Sequence, residues 1–367
     1  MTADYTLYGA DLSLYTGKAR AYMRYKNLNW QEVLATADVY RDVILPKVGA
    51  PIIPVLQTAE DQVVQDTTDI IDFLEQRHPE GCIYPNTPKQ RLAALLLEFF
   101  GDEWLLLPAM HYRWNYLEQQ REFILQGFGQ IAGPDASTEE QIKLGEQLCA
   151  PFRGSVEKMG VNEDTKAAIE QTYLTLLDQL NEHLTHHPYL LGTRPSIGDF
   201  GLMGPLYAHL GRDPYPKALM QKRAPKVYEW VERMNNPEPL SGDFLPNDEV
   251  PETLLPILRT QSKEQLPDVL SVIQHNATWL EQNPDGNLPR FLGEHEFTIG
   301  DVKSKRWISS YSQWMFQRPL SFYQSLTQDQ YQPVDNWLES IEALTELKTQ
   351  LTHPVRRKQG QLELVAA

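Results

Sequence analysis

The sequence predicts an α/β domain of order βαβαββα, followed by an all-α region with extra helices toward its C-terminal end. Three observations carry this. Strand and helix signals alternate through residues 1–80. From Pro85 onward apolar residues recur at helical spacing and nothing reads as strand. A segment with five prolines, Asn235–Pro256, then separates two helical stretches. At about 100–200 residues per domain, 367 residues fit two or three domains. The expected division is 1–80, 85–235 and 250–367, with the last packed on the second.

Thr6–Tyr8 is a short β-prone run ended by Gly9. Thr16–Tyr25 sets Lys18, Arg20 and Arg24 against Ala19, Tyr22 and Met23, a helical pattern. Trp30–Ala35 reads as strand, and Tyr40–Ile44 as one or two helical turns. Ile52–Leu56 and Val63–Gln65 flank the polar Gln57–Gln62, as in a hairpin. Thr67–Gln76 is an amphipathic helix stopped by Pro79. Alternating units at the start imply a parallel strand pair, and the hairpin implies antiparallel neighbours.

A long helix is expected from Pro88, a first helical position, to about Tyr116, kinked at Pro108. Gly127–Asp135 reads as a loop. Helices are expected over Glu139–Met159, Asp164–His187, Pro195–Leu210 and Lys226–Met234, then Leu266–Gln282, Ile299–Phe316 and Val334–Leu351. The tail from His353 reads as polar and frayed. Leu191–Asp199 and Leu292–Asp301 share Leu-Gly, a spacer, and Ser/Thr-Ile-Gly-Asp, so each is expected to cap a helix through Ser196 or Thr298.

Lys plus Arg is 33 and Asp plus Glu is 49, a formal charge of −16. That disfavours nucleic acid and anionic membranes as partners. The longest apolar stretches, Leu92–Leu97 and Trp104–Met110, fall far short of the ~20 residues of a membrane span. No basic segment followed by an apolar core opens the chain, and Cys82 and Cys149 cannot make a disulfide framework. A reduced, cytoplasmic protein is expected.

Four motifs then occur in one order. Ser13-Leu14-Tyr15-Thr16-Gly17-Lys18-Ala19-Arg20 resembles the Ser-Pro-Phe-Ser-x-Lys-Val-Arg of the glutathione transferase family. Ile53-Pro54-Val55-Leu56 resembles its Val-Pro-x-Leu, where the proline peptide is cis. Gln65 to Leu74 resembles its Glu-Ser-x-x-Ile-x-x-Tyr-Leu, and Ser196-Ile197-Gly198-Asp199 its helical-domain cap. The resemblance covers about Tyr5 to Met234 and leaves the last hundred or so residues unexplained. It implies a thioredoxin-like N-terminal domain, an all-helical second domain, glutathione as co-substrate with no metal, and detoxifying transfer to a small-molecule electrophile. It also implies assembly as a homodimer.

The chemistry of these residues agrees. A free thiol titrates near pH ~8.5, so a helix N-terminus with an added hydroxyl donor favours the thiolate. By the resemblance that donor is Ser13, with Tyr15 and Thr16 as alternatives because Leu14 replaces the family's proline. The plain reading of Ser13 is a helix cap. Ile53 and Pro54 would present backbone groups to the cysteinyl unit of the peptide. Asp66 and Thr67 would take the γ-glutamyl ammonium and carboxylate, and Lys47 the glycyl carboxylate. Trp104, Met110, Arg113 and Trp114 are expected to line a second-substrate pocket, though core packing is the commoner fate of such residues. The extension carries Trp279, Trp307, Trp314 and Trp337, too much aromatic surface for water, and is expected to wall one side of that pocket.

The weaker motifs point elsewhere. Gly127–Gly133 follows a helix and has the wrong spacing for a phosphate loop. His183, His186 and His187 read as complements to a helix C-terminus rather than as a metal site. Asp199 reads as a buried structural cap.

Overall fold

The computed structural model describes residues 3–284, 287–358 and 360–365. Its first unit runs β1 (Tyr5–Gly9), α1 (Leu14–Tyr25), β2 (Trp30–Leu34), α2 (Ala37–Val39), a π-turn at Tyr40–Ile44, α3 (Leu45–Val48), β3 (Val55–Thr58), β4 (Val63–Gln65) and α4 (Thr67–Arg77). The sheet order is β2-β1-β3-β4. β1 and β2 are parallel, joined by a crossover through α1, and β3 is antiparallel to both β1 and β4. This is the thioredoxin-like sheet that the resemblance implies. One row of its register matters for function: Tyr8 pairs with Val55 and Val55 with Gln65. The end of β1, the start of β3 and the end of β4 therefore meet at one end of the sheet. Leu7, Leu56, Ile70, Ile71 and Leu74 are fully buried. Lys18 and Arg20 are buried too, because α1 packs on α4 and on the helical region, leaving no solvated face there.

The second unit contains α5 (Pro88–Phe99), a π-turn at Phe100–Trp104, α6 (Leu106–Trp114), α7 (Arg121–Ala132), α8 (Thr138–Gly154), α9 (Lys166–His186), α10 (Ile197–Ala208), α11 (Pro214–Arg223) and α12 (Pro225–Asn235). The expected long helix is interrupted by the π-turn and Leu105, just before Pro108, whose ring cannot sit beside the carbonyl of Trp104 in a regular helix. The expected loop at Gly127–Asp135 is instead largely helical. Gly127 and Gly129 lie inside α7, and Gly129 lets it cross α8 at close range. A Cβ on Gly129 would stand 1.8 Å from the Gln141 carbonyl oxygen, and one on Gly145 would stand 1.9 Å from that of Leu125.

Asn235–Pro256 then lies along the second unit. The Asp248 carboxylate caps α5, accepting from Lys89 N (3.0 Å) and Gln90 N (2.9 Å). The remainder is α13 (Leu255–Gln282), β5 (Phe291–Ile299), β6 (Val302–Ser309), α14 (Tyr311–Gln324), α15 (Gln328–Ser340), α16 (Leu344–Leu347), β7 (Val355–Lys358) and β8 (Gln361–Leu364). Three expectations are corrected here. The all-helical reading fails at two antiparallel hairpins, β5–β6 and β7–β8. Thr298-Ile299-Gly300-Asp301 does not cap a helix; it forms the β5–β6 turn, with Gly300 at φ +55°. The tail from His353 is paired as β7–β8 rather than frayed, with Val355 and Leu362 buried beside Leu280 and Leu288. Ile257, Leu258, Leu266, Met315, Phe316 and Leu320 join the same core as Leu96, Phe99 and Trp104.

Candidate functional site

At the end of β1 the chain turns through Ala10–Leu12 into α1. Ser13 is the N-cap, half-buried, and its hydroxyl accepts from the Thr16 N–H at 3.3 Å. No group among the described residues takes the hydroxyl's own proton, so it can be given to an anion at the helix start. The two alternatives are placed differently. Thr16 is fully buried, with Oγ1 accepting from Ala10 N (3.3 Å) and its methyl filling the space above Gly9. Tyr15 donates to the Asp102 carbonyl at 3.2 Å. Burial, reinforced by Glu103 and Asp102, holds its phenol well above the ordinary value and keeps it protonated.

The row Tyr8–Val55–Gln65 brings the other N-terminal motifs to the same end of the sheet. The Ile53–Pro54 peptide is cis. Lys47 lies near the end of α3 but is ion-paired with Asp61, which also accepts from Gln57 Nε2 at 2.6 Å. Asp66 adopts φ +88° at the N-cap of α4, and Thr67 behind it is buried. Both Asp66 oxygens are engaged: Oδ1 accepts from Thr68 N (2.9 Å), and Oδ2 from the Tyr311 hydroxyl (2.6 Å). Arg357, on β7, stands 3.8 Å from Asp66 Oδ2, donates to the Gln65 carbonyl at 3.2 Å, and reaches the Gln65 amide oxygen and the Asp69 carboxylate. Burial, with the like charge of Asp66, pushes Asp69 up to about 6 against the pull of Arg357. Sequence reasoning missed Tyr311 and Arg357, since nothing local in the sequence links them to residues nearly 250 or more positions away.

The expected second-substrate pocket is not assembled. Arg113 is 2% exposed and is held by Asp213 (2.7 and 2.9 Å), the Ala208 carbonyl (2.7 Å) and the Leu12 carbonyl (3.0 Å). It is a strut under the β1–α1 loop, with four of its five N–H donors engaged. Trp114 and Met110 are core residues, with Trp114 against Phe128. Trp104 is buried beneath the extension and donates to Glu264 at 3.1 Å. It does border a cavity of about 150 Å³ between α6, α9 and α13, also lined by Tyr173, Ile257 and Ile299. Phe100, Trp104, Leu105 and Pro108 face this cavity, whereas Tyr15 meets the chain at Asp102 on the N-terminal side.

Between the Ser13 loop and the helical unit lies a buried ionic cluster. Lys18 Nζ sits 2.8 Å from Glu98 Oε1 and 2.5 Å from Asp102 Oδ2. Burial opposes its charge, but the two carboxylates outweigh that and raise its pKa. Glu98 also accepts from Thr68 (3.1 Å) and lies 3.4 Å from Arg318, which holds Asp72 at 2.6 Å. Among the described residues the Asp102 carboxylate has Lys18 alone, and its Oδ1 is buried without a partner. Burial pushes it up to about 7 despite Lys18, with Glu98 adding to the rise. Two carboxylates share one ammonium. Burial also pushes Glu103 to about 7, against the hydrogen bond from Ser312 (2.6 Å).

The remaining residues singled out in the sequence have structural partners. His183 contacts Thr253 at 2.7 Å and the Tyr189 carbonyl at 3.3 Å, and His186 pairs with Glu182. Asp199 is fully buried and closes the capping box with Ser196. Among the described residues no helix is long and apolar enough to cross a membrane.

A family model for the glutathione S-transferase N-terminal domain matches residues 7–81, and one for the glutathione S-transferase C-terminal domain matches residues 163–233. No curated protein sequence matches the chain. Among solved structures it is similar to a glutathione S-transferase from Rhodospirillum rubrum F11 at 18% identity, covering 68% of this chain and 96% of that one, with a TM-score of 0.42. A glutathione transferase from Phanerochaete chrysosporium is 12% identical, covering 67% and 100%, with a TM-score of 0.46. A glutathione S-transferase from Methylobacterium radiotolerans, solved in complex with glutathione sulfonate, is 18% identical, covering 67% and 99%, with a TM-score of 0.41. Both domain models match in order on one chain, so the protein carries a glutathione S-transferase N-terminal domain on its thioredoxin-like sheet and a glutathione S-transferase C-terminal domain within its helical unit.

Proposed function

We propose that the protein is a glutathione-dependent transferase acting on a small apolar electrophile. One observation carries the reading: the Tyr8–Val55–Gln65 row sets Ser13, Ile53–Pro54 and Asp66–Thr67 around one end of the sheet. Glutathione's sulfur would lie at the start of α1, where the Ser13 hydroxyl donates to it and the helix N-terminus favours the anion. The thiol proton leaves to water, since a serine hydroxyl is too weak an acid to serve as base. The thiolate then forms a carbon–sulfur bond as the electrophile's leaving group departs with its electron pair. Residues 1–80 hold the thiol, 85–235 the helical wall, and 250–367 cover it. Cytoplasmic detoxification, by a monomer or a homodimer, is the setting this chemistry suits.

A second reading, a non-catalytic protein that keeps the fold, draws support from Arg113 and Trp114, which fill the core where a pocket was expected. The test is retention on immobilised glutathione, followed by conjugation of an activated aryl chloride. Retention with turnover supports the transferase. Retention without turnover over a panel of electrophiles supports the second reading, and absence of both refutes the glutathione site.

A further inference from the structure

The extension reaches across to the start of α4 and engages the residues that the glutathione reading assigns to the γ-glutamyl end. Both Asp66 oxygens are already engaged, one by the Thr68 N–H and the other by the Tyr311 hydroxyl, so an ammonium group there would share them with donors in place. The Arg357 guanidinium adds a positive charge 3.8 Å from Asp66 and is fixed by Gln65 and Asp69. Its Cζ also lies 5.1 Å from the centre of the Trp314 ring. The side chain is 10% exposed, so a second cation beside it would meet repulsion weakly screened by water. An ammonium approaching Asp66 competes with the Tyr311 hydroxyl for Oδ2 and meets the charge of this guanidinium.

The hairpin carrying Arg357 is held on its other side by modest contacts. Gln317 exchanges hydrogen bonds with Val355 (2.7 and 2.9 Å), Gln313 donates to the His353 carbonyl (2.8 Å), and Leu288 bridges to Leu362 (3.0 Å). The apolar cluster beneath it contains Leu280, Leu288, Val355 and Leu362. These attachments involve α14, the end of α13 and the chain after it, and leave the sheet of the first unit untouched.

Building on the glutathione site proposed above, we infer that Arg357 and Tyr311 are competitors built into the chain for the γ-glutamyl ammonium subsite at Asp66. They determine which thiol the protein accepts and how tightly. Glutathione binds to the fraction of molecules in which the subsite has been vacated, and a thiol peptide without the amino group escapes the competition.

The test is calorimetric titration of the full-length protein, Arg357→Ala and Tyr311→Phe with two ligands. One is reduced glutathione, and the other is its analogue with a glutaryl group in place of γ-glutamyl, which lacks the ammonium. Arg357→Ala is expected to bind glutathione roughly ten- to a hundredfold tighter than the parent, the factor set by the fraction of vacated subsites, with the analogue changed less than about threefold. Tyr311→Phe, which removes only a hydroxyl, shifts the same way by a smaller factor. Equal glutathione affinity in parent and both variants overturns the competition. An equal gain for both ligands also overturns it, because that is easier access and not competition for the ammonium. In either case the glutathione site stands. If neither variant nor the doubly substituted protein binds glutathione, the site reading itself fails.

Discussion

Lys18→Met would remove the one side-chain partner that Asp102 has among the described residues, and one of three cationic or hydroxyl partners of Glu98, while keeping the aliphatic length. Glu98 retains the Thr68 hydroxyl at 3.1 Å and Arg318 at 3.4 Å. Asp102 retains nothing on its side chain, and it is 2% exposed. Breaking a buried pair by deleting one partner costs about 3–5 kcal/mol, because the stranded charge stays desolvated. Asp102 escapes part of that cost by protonation. Its folded pKa already lies near 7, above the usual 3.8, and loss of Lys18 raises it further. A carboxyl raised in the fold contributes its full stability below the unfolded pKa and loses it as pH rises through the folded value. The variant should therefore lose little at pH 5 and the most above pH 7. At roughly 2–4 °C per kcal/mol, calorimetry at pH 8 should show a melting point about 6–20 °C below the parent. Adding Asp102→Asn should recover at least half of that loss. A loss under about 1 kcal/mol at pH 8, or no recovery in the double variant, would refute the stranded-carboxylate account.

Three further outcomes follow from the site and its surroundings. Ser13→Ala should lower turnover of an aryl chloride roughly ten- to a thousandfold with the KM for glutathione little changed, as expected for one lost donor to an anion; a dead Tyr15→Phe beside a fully active Ser13→Ala would move the donor to Tyr15. Glu103→Gln keeps an acceptor for Ser312 and removes a carboxyl that burial lifts from 4.5 to about 7. It should therefore stabilise the protein by up to about 3 kcal/mol at pH 8 and leave it unchanged near pH 4, measured by urea unfolding. Asp199→Ala strands Leu190 N, Ser196 N and Trp230 Nε1, donors now at 3.0, 2.8 and 3.3 Å. At about 1–3 kcal/mol for each orphaned group, with partial relaxation, a loss of roughly 3–5 kcal/mol is expected in the same measurement.

The first unit was legible because its signals are local. Ser13 caps the helix that begins beside it, and the β3–β4 hairpin flanks a polar turn. The β5–β6 hairpin was also written locally. Phe297 and Ile299 alternate inward, Arg306 and Ile308 follow, and Gly300-Asp301 is a two-residue turn of the expected kind. It was misread because Thr-Ile-Gly-Asp also fits a capping box, and only the strand pairing decides between them. Arg113 shows the opposite limit: its aromatic surroundings suggested a pocket, but its partner Asp213 is 100 positions away. Lys18 and Arg20 were assigned to a polar helix face. That assignment holds only if one side of α1 meets water, and no local pattern reports the second wall.

The start of α4 shows why the extension belongs to the electrostatics of the first unit. Asp66, Asp69 and Asp72 recur at a spacing of three, on one helical face, where like charges repel. The helix dipole favours the first two and fades before the third. Among the described residues no lysine or arginine of the first unit pairs with these three carboxylates; Arg357 reaches Asp69 and stands near Asp66, while Arg318 holds Asp72. Both arginines come from the far end of the chain, and Tyr311 and Met315 from the same end meet Asp66 and Thr68. A face that looks over-acidic within residues 1–80 is thus matched by groups after residue 310. The same carboxylates serve two ends: they hold the extension in place, and one of them is the group the proposed co-substrate must recruit.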